Sequence, residues 1–183
     1  MVTLETERLL LRMFRAEDFE SYAEMCADPE VMQYLPGGKP LSRENAWRQM
    51  AATVGEWHLT GYGAWAVQER ETGRLLGRLG FVNWAHVELR PYRPEALPGL
   101  EIGWVLSRAS WGRGYATEGA RRAIDYAFTD LGRDYVVSII HPDNNTSVRV
   151  AERVGQKIEG RAQVSGTEAL VYRIDREAWA VRP

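Results

Sequence analysis

The chain has 183 residues, of which 45% are hydrophobic and 26% charged, and its formal net charge is −2. This composition is typical of a soluble globular protein, and the small net charge excludes a global field that would draw the chain to nucleic acid or to an anionic membrane. No apolar run approaches the ~20 residues that cross a bilayer. The first residues are acidic where a signal peptide would be basic. We therefore expect a cytoplasmic protein with a single domain, residues 1–183.

The first half of the chain changes from helical to strand periodicity. Apolar residues at helical spacing predict a helix that Asp28 and Pro29 end, and a second helix from Ser42 to Gly61. Alternating and apolar runs predict three strands. These strands are Arg8–Phe14, Tyr62–Glu69 and Leu75–Trp84. The Pro-rich stretch that follows is expected to be an irregular loop that faces the substrate.

The second half has a strand, a glycine loop, a helix and a strand in succession: Leu100–Leu106, Ser110–Gly114, Tyr115–Leu131 and Tyr135–Ile140. Such a unit is a crossover that joins parallel strands. A short helix with Asn144 as its candidate N-cap follows, and Gly155 ends it. A closing pair of strands, ending with Glu168–Trp179, completes the chain.

The glycine loop is a candidate anion site. The first N–H groups of a helix have no intrahelical partner, and the helix dipole adds a partial positive charge there. Gly112 and Gly114 lack a Cβ, so their amides can approach a ligand closely. Arg113 adds a charge and Thr117 a hydroxyl, and together these groups suit phosphate oxygens. The alternative is a sharp turn that needs glycine only for its geometry. Thr117 occupies the place of the third glycine of a dinucleotide fingerprint, which weakens that interpretation.

The segment "WGRGYATEGARRAIDYAF", preceded by "LEIGWVL" and followed by "HPDNNTSVRVAERVG", resembles the GNAT superfamily of acyl-CoA-dependent N-acyltransferases. It is most similar to the RimJ/RimL branch, which acetylates protein N-termini, and "TERLLLRMFRAEDF" supports that branch. The resemblance implies a mixed α/β fold: a twisted, mostly antiparallel sheet of six or seven strands, helices on both faces, and a central parallel pair that splays apart.

The same resemblance implies that acetyl-CoA is the cofactor. Val105 and Leu106 would contact the pantetheine arm through their backbone, and the loop would wrap the pyrophosphate. Asn144 would contact the pantetheine arm, and Ser147 would lie near the sulfur. The implied cofactor-binding set is Val105, Leu106, Trp111, Gly112, Arg113, Gly114, Tyr115, Ala116, Thr117, Asn144 and Ser147. Trp111 stands where the general family pattern has Gln or Arg.

Glu101 is the candidate general base, since burial beside an apolar strand would raise its pKa towards neutrality. The alternative is a strand-end carboxylate that pairs with an arginine. Alternation places Glu101 on the sheet face of Gly103 and Val105. Many relatives carry a tyrosine as proton donor where this chain has Ala151, so Ser147 or a bound water is the expected substitute.

The remaining candidates have structural interpretations. Cys26 is expected to be a packing thiol, and the three histidines (His58, His86 and His141) lack metal spacing, so no metal is assigned. His141 ends a strand and could approach the site. Three aromatic residues either line an acceptor pocket or pack in the core: Trp84, Trp104 and Tyr92. Core packing is favoured for Trp84 and Trp104. Arg121 and Arg122 have two possible roles: they contact the adenosine phosphate of coenzyme A, or they are simply solvated. The second is favoured.

The sequence therefore predicts transfer of an acetyl group from acetyl-CoA to a primary amine by direct attack. The amine is a protein N-terminus or a small molecule, and a homodimer is allowed. Two competing hypotheses are a coenzyme A-binding module without turnover and a protein that binds a nicotinamide dinucleotide.

Overall fold

The computed structural model describes residues 2–82, 99–164 and 166–181. Its strands are β1 (Leu4–Glu5), β2 (Leu9–Arg12), β3 (Ala64–Glu69), β4 (Leu75–Val82), β5 (Gly99–Leu106), β6 (Tyr135–Ile140), β7 (Lys157–Val164) and β8 (Thr167–Asp175). They form one sheet in the order β1-β2-β3-β4-β5-β6-β8-β7. The β5–β6 pair is parallel, and the other described pairs are antiparallel. The predicted mixed, mostly antiparallel fold is confirmed.

Helices cover both faces of this sheet, as predicted. They are α1 (Phe19–Ala27), α2 (Pro29–Met32), α3 (Arg43–Thr60), α4 (Tyr115–Thr129), α5 (Asn145–Arg153) and α6 (Arg176–Ala180). On one face α4 lies so close to β4 that a Cβ on Gly119 would be 3.0 Å from Leu79 Cδ1. On the other face, α1 and α3 pack residues such as Tyr22 and Met50 over Val105. Among the described residues, none of the helices combines the length and the hydropathy that a membrane crossing requires.

The parallel pair separates soon after it begins. Register pairing joins Gly99–Glu101 of β5 to Tyr135–Val137 of β6, and the paired region ends there. Beyond it, the Ser138 hydroxyl donates a hydrogen bond to the Ile102 carbonyl at 3.1 Å. The splay confirms the prediction and leaves a gap at the carboxyl ends of the two strands, where ligands bind in open α/β sheets. The N-termini of α4 and α5 follow these strands at the same edge of the sheet.

Two details differ from the sequence predictions. The sheet has an eighth described strand because Leu4–Glu5 pairs antiparallel with Leu10–Leu11. The predicted strand Glu168–Trp179 is wrong at its end: β8 stops at Asp175 and α6 begins at Arg176. The Arg176 N–H donates to the Asp134 carbonyl, and its guanidinium donates to the Arg133 carbonyl, so contacts outside the strand turn the chain. The expected loop after β4, with Trp84, His86 and Tyr92, lies outside the described residues.

Candidate active site

The loop before α4 presents an array of backbone N–H groups to open space. Gly112 and Gly114 have φ angles of +72° and +81°, a region that glycine adopts without strain. A Cβ on Gly112 would meet nothing within 4 Å. Within the described part of the chain, the N–H groups from Gly112 to Thr117 donate to no acceptor of the protein. Unpaired N–H groups at a helix N-terminus are a receptor for an anion.

A second set of contacts fixes this loop to the start of the chain. The Arg8 guanidinium donates to the Arg113 carbonyl at 2.9 Å and pairs with the Glu118 carboxylate at 2.6 Å. Glu118 also accepts hydrogen bonds from the Thr6 hydroxyl and from the Arg8 backbone N–H. Burial would raise the pKa of Glu118, but these hydrogen bonds outweigh it and lower the pKa. The loop is therefore held in place by a carboxylate that remains charged at neutral pH.

The Arg113 side chain does not point to the open side of the loop. Its guanidinium lies 3.7 Å from Glu69 Oε1 and stacks on the Tyr115 ring, 5.0 Å from the centroid. Arg8 lies 4.7 Å from the same centroid. The Tyr115 hydroxyl donates to the buried Glu69 carboxylate, and this bond lowers the pKa of Glu69 and raises that of Tyr115. Arg113 therefore faces Glu69, and its backbone N–H is the group that it offers to an anion.

The splayed end of β5 carries Val105 and Leu106, the two residues predicted to contact the pantetheine arm through their backbone. Val105 and Leu106 are the last residues of β5, beyond the point where pairing with β6 ends. Trp111 Nε1 donates to the Leu106 carbonyl at 2.8 Å, which fastens the glycine loop to this strand. The Trp111 ring is 40% exposed, so the residue in the place of the family's Gln or Arg is partly open to solvent.

Ser147 lies across the gap from β5. Asn144 caps α5 by accepting a hydrogen bond from the Ser147 N–H at 3.1 Å, which confirms the capping interpretation. The Ser147 hydroxyl accepts a hydrogen bond from Trp104 Nε1 at 3.2 Å. Trp104 packs against a small buried cluster that includes Ala151, the small residue that stands where relatives have tyrosine. No local pattern indicates the Trp104–Ser147 bond, because the partners are 43 residues apart.

Glu101 faces the other side of the sheet. It is buried and lies opposite Val82 in the β4–β5 register. Alternation puts it with Gly103 and Val105 on the face that α1 and α3 cover, as predicted, whereas Trp104 lies on the opposite face with Ile102. The gap between β5 and β6 joins the two faces. A reactant held by the N-termini of α4 and α5 can therefore meet a second reactant that lies beside Glu101.

The family model described as an acetyltransferase (GNAT) domain matches residues 8–157. The chain belongs to the GNAT family. It is an acyltransferase, and acetyltransferases of this family use acetyl-CoA as the acetyl donor.

Individual GNAT relatives support the assignment. The uncharacterized N-acetyltransferase p20 of Bacillus licheniformis is 30% identical over 161 residues, with 87% of this chain and 85% of the relative covered. A crystal structure of an acetyltransferase from Agrobacterium tumefaciens is 34% identical, with a TM-score of 0.79 over 95% of this chain and 94% of that one. The spermidine N-acetyltransferase of Vibrio cholerae, solved with CoA and spermine, shares the fold at 16% identity, with a TM-score of 0.73 and 96% and 99% coverage.

The residues present fit the GNAT donor. The unpaired N–H groups of the loop suit the diphosphate of coenzyme A, and the splayed edge of β5 suits a chain of amide groups. A groove of about 760 Å³ continues from Gly114 and Thr117 to Arg121 and Arg122. The exposed Arg121 donates to the Arg153 carbonyl at 3.0 Å, and Arg122 pairs with Asp125 at 3.3 Å. Both arginines therefore border the groove while they keep protein partners.

Other sequence candidates have structural positions. Cys26 is a buried free thiol, and burial raises its pKa, which confirms the packing interpretation. His141 directly follows β6, and its ring lies 5.2 Å from that of Tyr34. His58 lies in the last turn of α3. Within residues 2–82, 99–164 and 166–181, no cluster of His, Cys, Asp or Glu side chains is arranged to hold a metal.

Proposed function

We propose that the chain transfers the acetyl group of acetyl-CoA to a primary amine in a ternary complex. The observation that carries the proposal is the gap between β5 and β6, which has the anion-binding loop and Ser147 at one side and Glu101 at the other. When bound, acetyl-CoA supplies the acetyl group as a thioester, which an amine converts to an amide with release of the free thiol. The amides of residues 112–117 hold the diphosphate, while Val105, Leu106 and Asn144 position the arm.

Glu101 accepts the proton that the acceptor ammonium must lose before it attacks, directly or through a water molecule. A carboxylate that is buried in the sheet is suited to this role. Backbone N–H groups of β5 that face the gap polarise the carbonyl that is attacked. The Ser147 hydroxyl accepts its hydrogen bond from Trp104, so its own proton can pass to the departing sulfur, and the proton that the attacking nitrogen loses as the amide forms restores the hydroxyl. Ser147 therefore takes the role of the tyrosine that Ala151 replaces.

The acceptor is an amine of a protein N-terminus or of a small molecule. The RimJ/RimL resemblance supports the first, and the Vibrio cholerae neighbour acts on a small amine. The second candidate function is a coenzyme A-binding module without turnover, which the small residue at position 151 favours. A homodimer and a cytoplasmic location remain predictions.

Release of free thiol from acetyl-CoA, measured with a panel of amines and N-terminal peptides, tests the proposal. We expect turnover with at least one acceptor, and slower turnover in the Glu101→Gln and Ser147→Ala variants without a rise in the KM for acetyl-CoA. Saturable coenzyme A binding with no thiol release from any acceptor would favour the module. Thermal stabilisation by a nicotinamide dinucleotide and not by acetyl-CoA would contradict both.

A further inference from the structure

An arginine without a carboxylate partner lies on the Glu101 face of the sheet. Arg78 is on the central strand β4, opposite Ala66 of β3 and Val105 of β5. Its Nε is buried and has no hydrogen-bond partner. Among residues 2–82, 99–164 and 166–181, no Asp or Glu side chain forms an ion pair with it. Buried polar N–H groups in proteins nearly always have a hydrogen-bond partner, so the unpartnered Nε of Arg78 requires an explanation.

The groups around Arg78 are neutral. It lies beside the Tyr22 hydroxyl and the Cys26 thiol, both on α1; burial raises the pKa of each, and the positive charge of Arg78 acts against that rise. Tyr22 donates its hydroxyl proton to Gln49 of α3 at 2.7 Å. By contrast, the buried Arg12 has a bidentate partner in Asp18 at 2.7 and 2.8 Å. The two arginines therefore differ in that only Arg12 has its counter-ion within the described chain.

On the sheet face that carries Arg78 and Glu101, the row between these two residues has no side chain beyond hydrogen. Between the Arg78–Val105 row and the Val82–Glu101 row lies a pair of glycines, Gly80 and Gly103. Gly103 is partly exposed to solvent although it lies on a central strand, and among the described residues a Cβ there would meet only Val82 Cγ2, at 3.5 Å. Arg78 is also partly exposed to solvent, although its Nε is buried. This space therefore has a cation at one end and the Glu101 carboxylate at the other.

We infer that Arg78 binds the carboxylate of the acceptor, and that the acceptor is an amine that carries a carboxylate, as an amino acid does. The inference rests on the proposed function, since it places the amine of the same molecule beside Glu101. The two rows are four residues apart, about 13 Å along the strand, and strand alternation puts both side chains on the same face of the sheet. A guanidinium binds a carboxylate through two parallel N–H···O bonds, which fixes the acceptor's orientation. The same cation repels a polyamine.

Matched acceptors test this inference in the wild-type protein. Thiol release is measured with each common amino acid, its carboxamide and its decarboxylated amine, and kcat/KM is corrected for the fraction of free amine. We expect the preferred amino acid to exceed its carboxamide by about tenfold or more, the size of a lost charged hydrogen bond. The inference is wrong, and acetyl transfer stands, if acceptors without a carboxylate are turned over as efficiently as the preferred amino acid. These acceptors are the carboxamides, the decarboxylated amines, polyamines and uncharged N-terminal peptides. If no amine releases thiol, both fail.

Variants then connect the preference to Arg78. Arg78→Met, which retains most of the side-chain volume, is expected to lose the preference for the carboxylate and to leave the KM for acetyl-CoA unchanged. Arg48→Met on the exposed side of α3 is the matched control and should retain the preference. If Arg78→Met does not fold, Arg78→Lys retains the charge without the bidentate geometry and should weaken the preference. An undiminished preference in a folded Arg78→Met protein would overturn the inference.

Discussion

Replacement of Glu118 by glutamine tests how the glycine loop before α4 is held. The substitution retains the shape of the side chain but removes the charge that faces Arg8 and puts an NH2 group beside that cation. Hydrogen bonds to charged groups contribute about 1.5–3 kcal/mol each when buried. The Arg8 side chain is 44% exposed, so solvent screening reduces this value. We expect a loss of about 1–2 kcal/mol in the free energy of unfolding, or roughly 2–8 °C in Tm for a chain of this length.

The functional effect of Glu118→Gln should appear in acetyl-CoA binding. The Arg8 guanidinium connects Glu118 to the Arg113 carbonyl. When Glu118 loses its charge, Arg8 is held less firmly, and the loop amides can move. The KM for acetyl-CoA should rise several-fold in the thiol-release assay, with little change in kcat. The control is Glu44→Gln: Glu44 forms an i,i+4 pair with Arg48 in which both side chains are 70% exposed, and it should change stability by less than about 0.5 kcal/mol. Equal effects of the two variants, or an unchanged KM, would refute this reasoning.

Further predictions concern the candidate general base Glu101, the buried Arg12–Asp18 ion pair and its effect on acid stability, and a close contact between the backbones of β3 and β4. Glu101→Gln should lower kcat at neutral pH by about 100-fold, as expected for a lost general base; a rate within a factor of two of wild type would exclude that role. Asp18→Asn leaves the buried Arg12 charge unpaired and should cost about 3–5 kcal/mol, measured by urea unfolding. Burial would raise the pKa of Asp18, but the bond from Arg12 outweighs it and lowers the pKa. The Arg12–Asp18 pair therefore contributes its full share of the free energy of unfolding above the ordinary aspartate pKa of 3.8. This share should be lost as the pH falls through the lower pKa that Asp18 has in the folded state. Acid titration of the wild-type protein and of Asp18→Asn would reveal the loss. Gly80→Ala places a Cβ 2.6 Å from the Gly63 carbonyl oxygen and should lower stability by more than about 2 kcal/mol; a Tm unchanged by this substitution would contradict the β3–β4 geometry.

The sequence predicted those parts of the site that depend on local pattern. The glycine loop, the start of α4 and the Asn144 cap each have a signature within a few residues, and period-two alternation placed Glu101 on the correct face. The end of β8 was missed because apolar alternation continues into α6, where contacts of Arg176 with Arg133 and Asp134 decide the structure.

Contacts between distant parts of the chain could not be predicted. Arg8 reaches the Arg113 carbonyl across 105 residues, and no local pattern indicates that Glu69 holds the Arg113 side chain away from the open side of the loop. The unpaired Arg78 was likewise not apparent from an alternating strand sequence. Whether a charged residue on a buried face has a partner depends on the helices that pack over it.

Calorimetric titration with coenzyme A and with pantetheine most directly tests whether the amides of Gly112–Thr117 bind the diphosphate. We expect coenzyme A to bind saturably and pantetheine, which lacks the diphosphate, to bind roughly 100-fold more weakly, as the loss of two charge-assisted hydrogen bonds implies. Equal binding of the two compounds, or no heat with coenzyme A, would contradict the account.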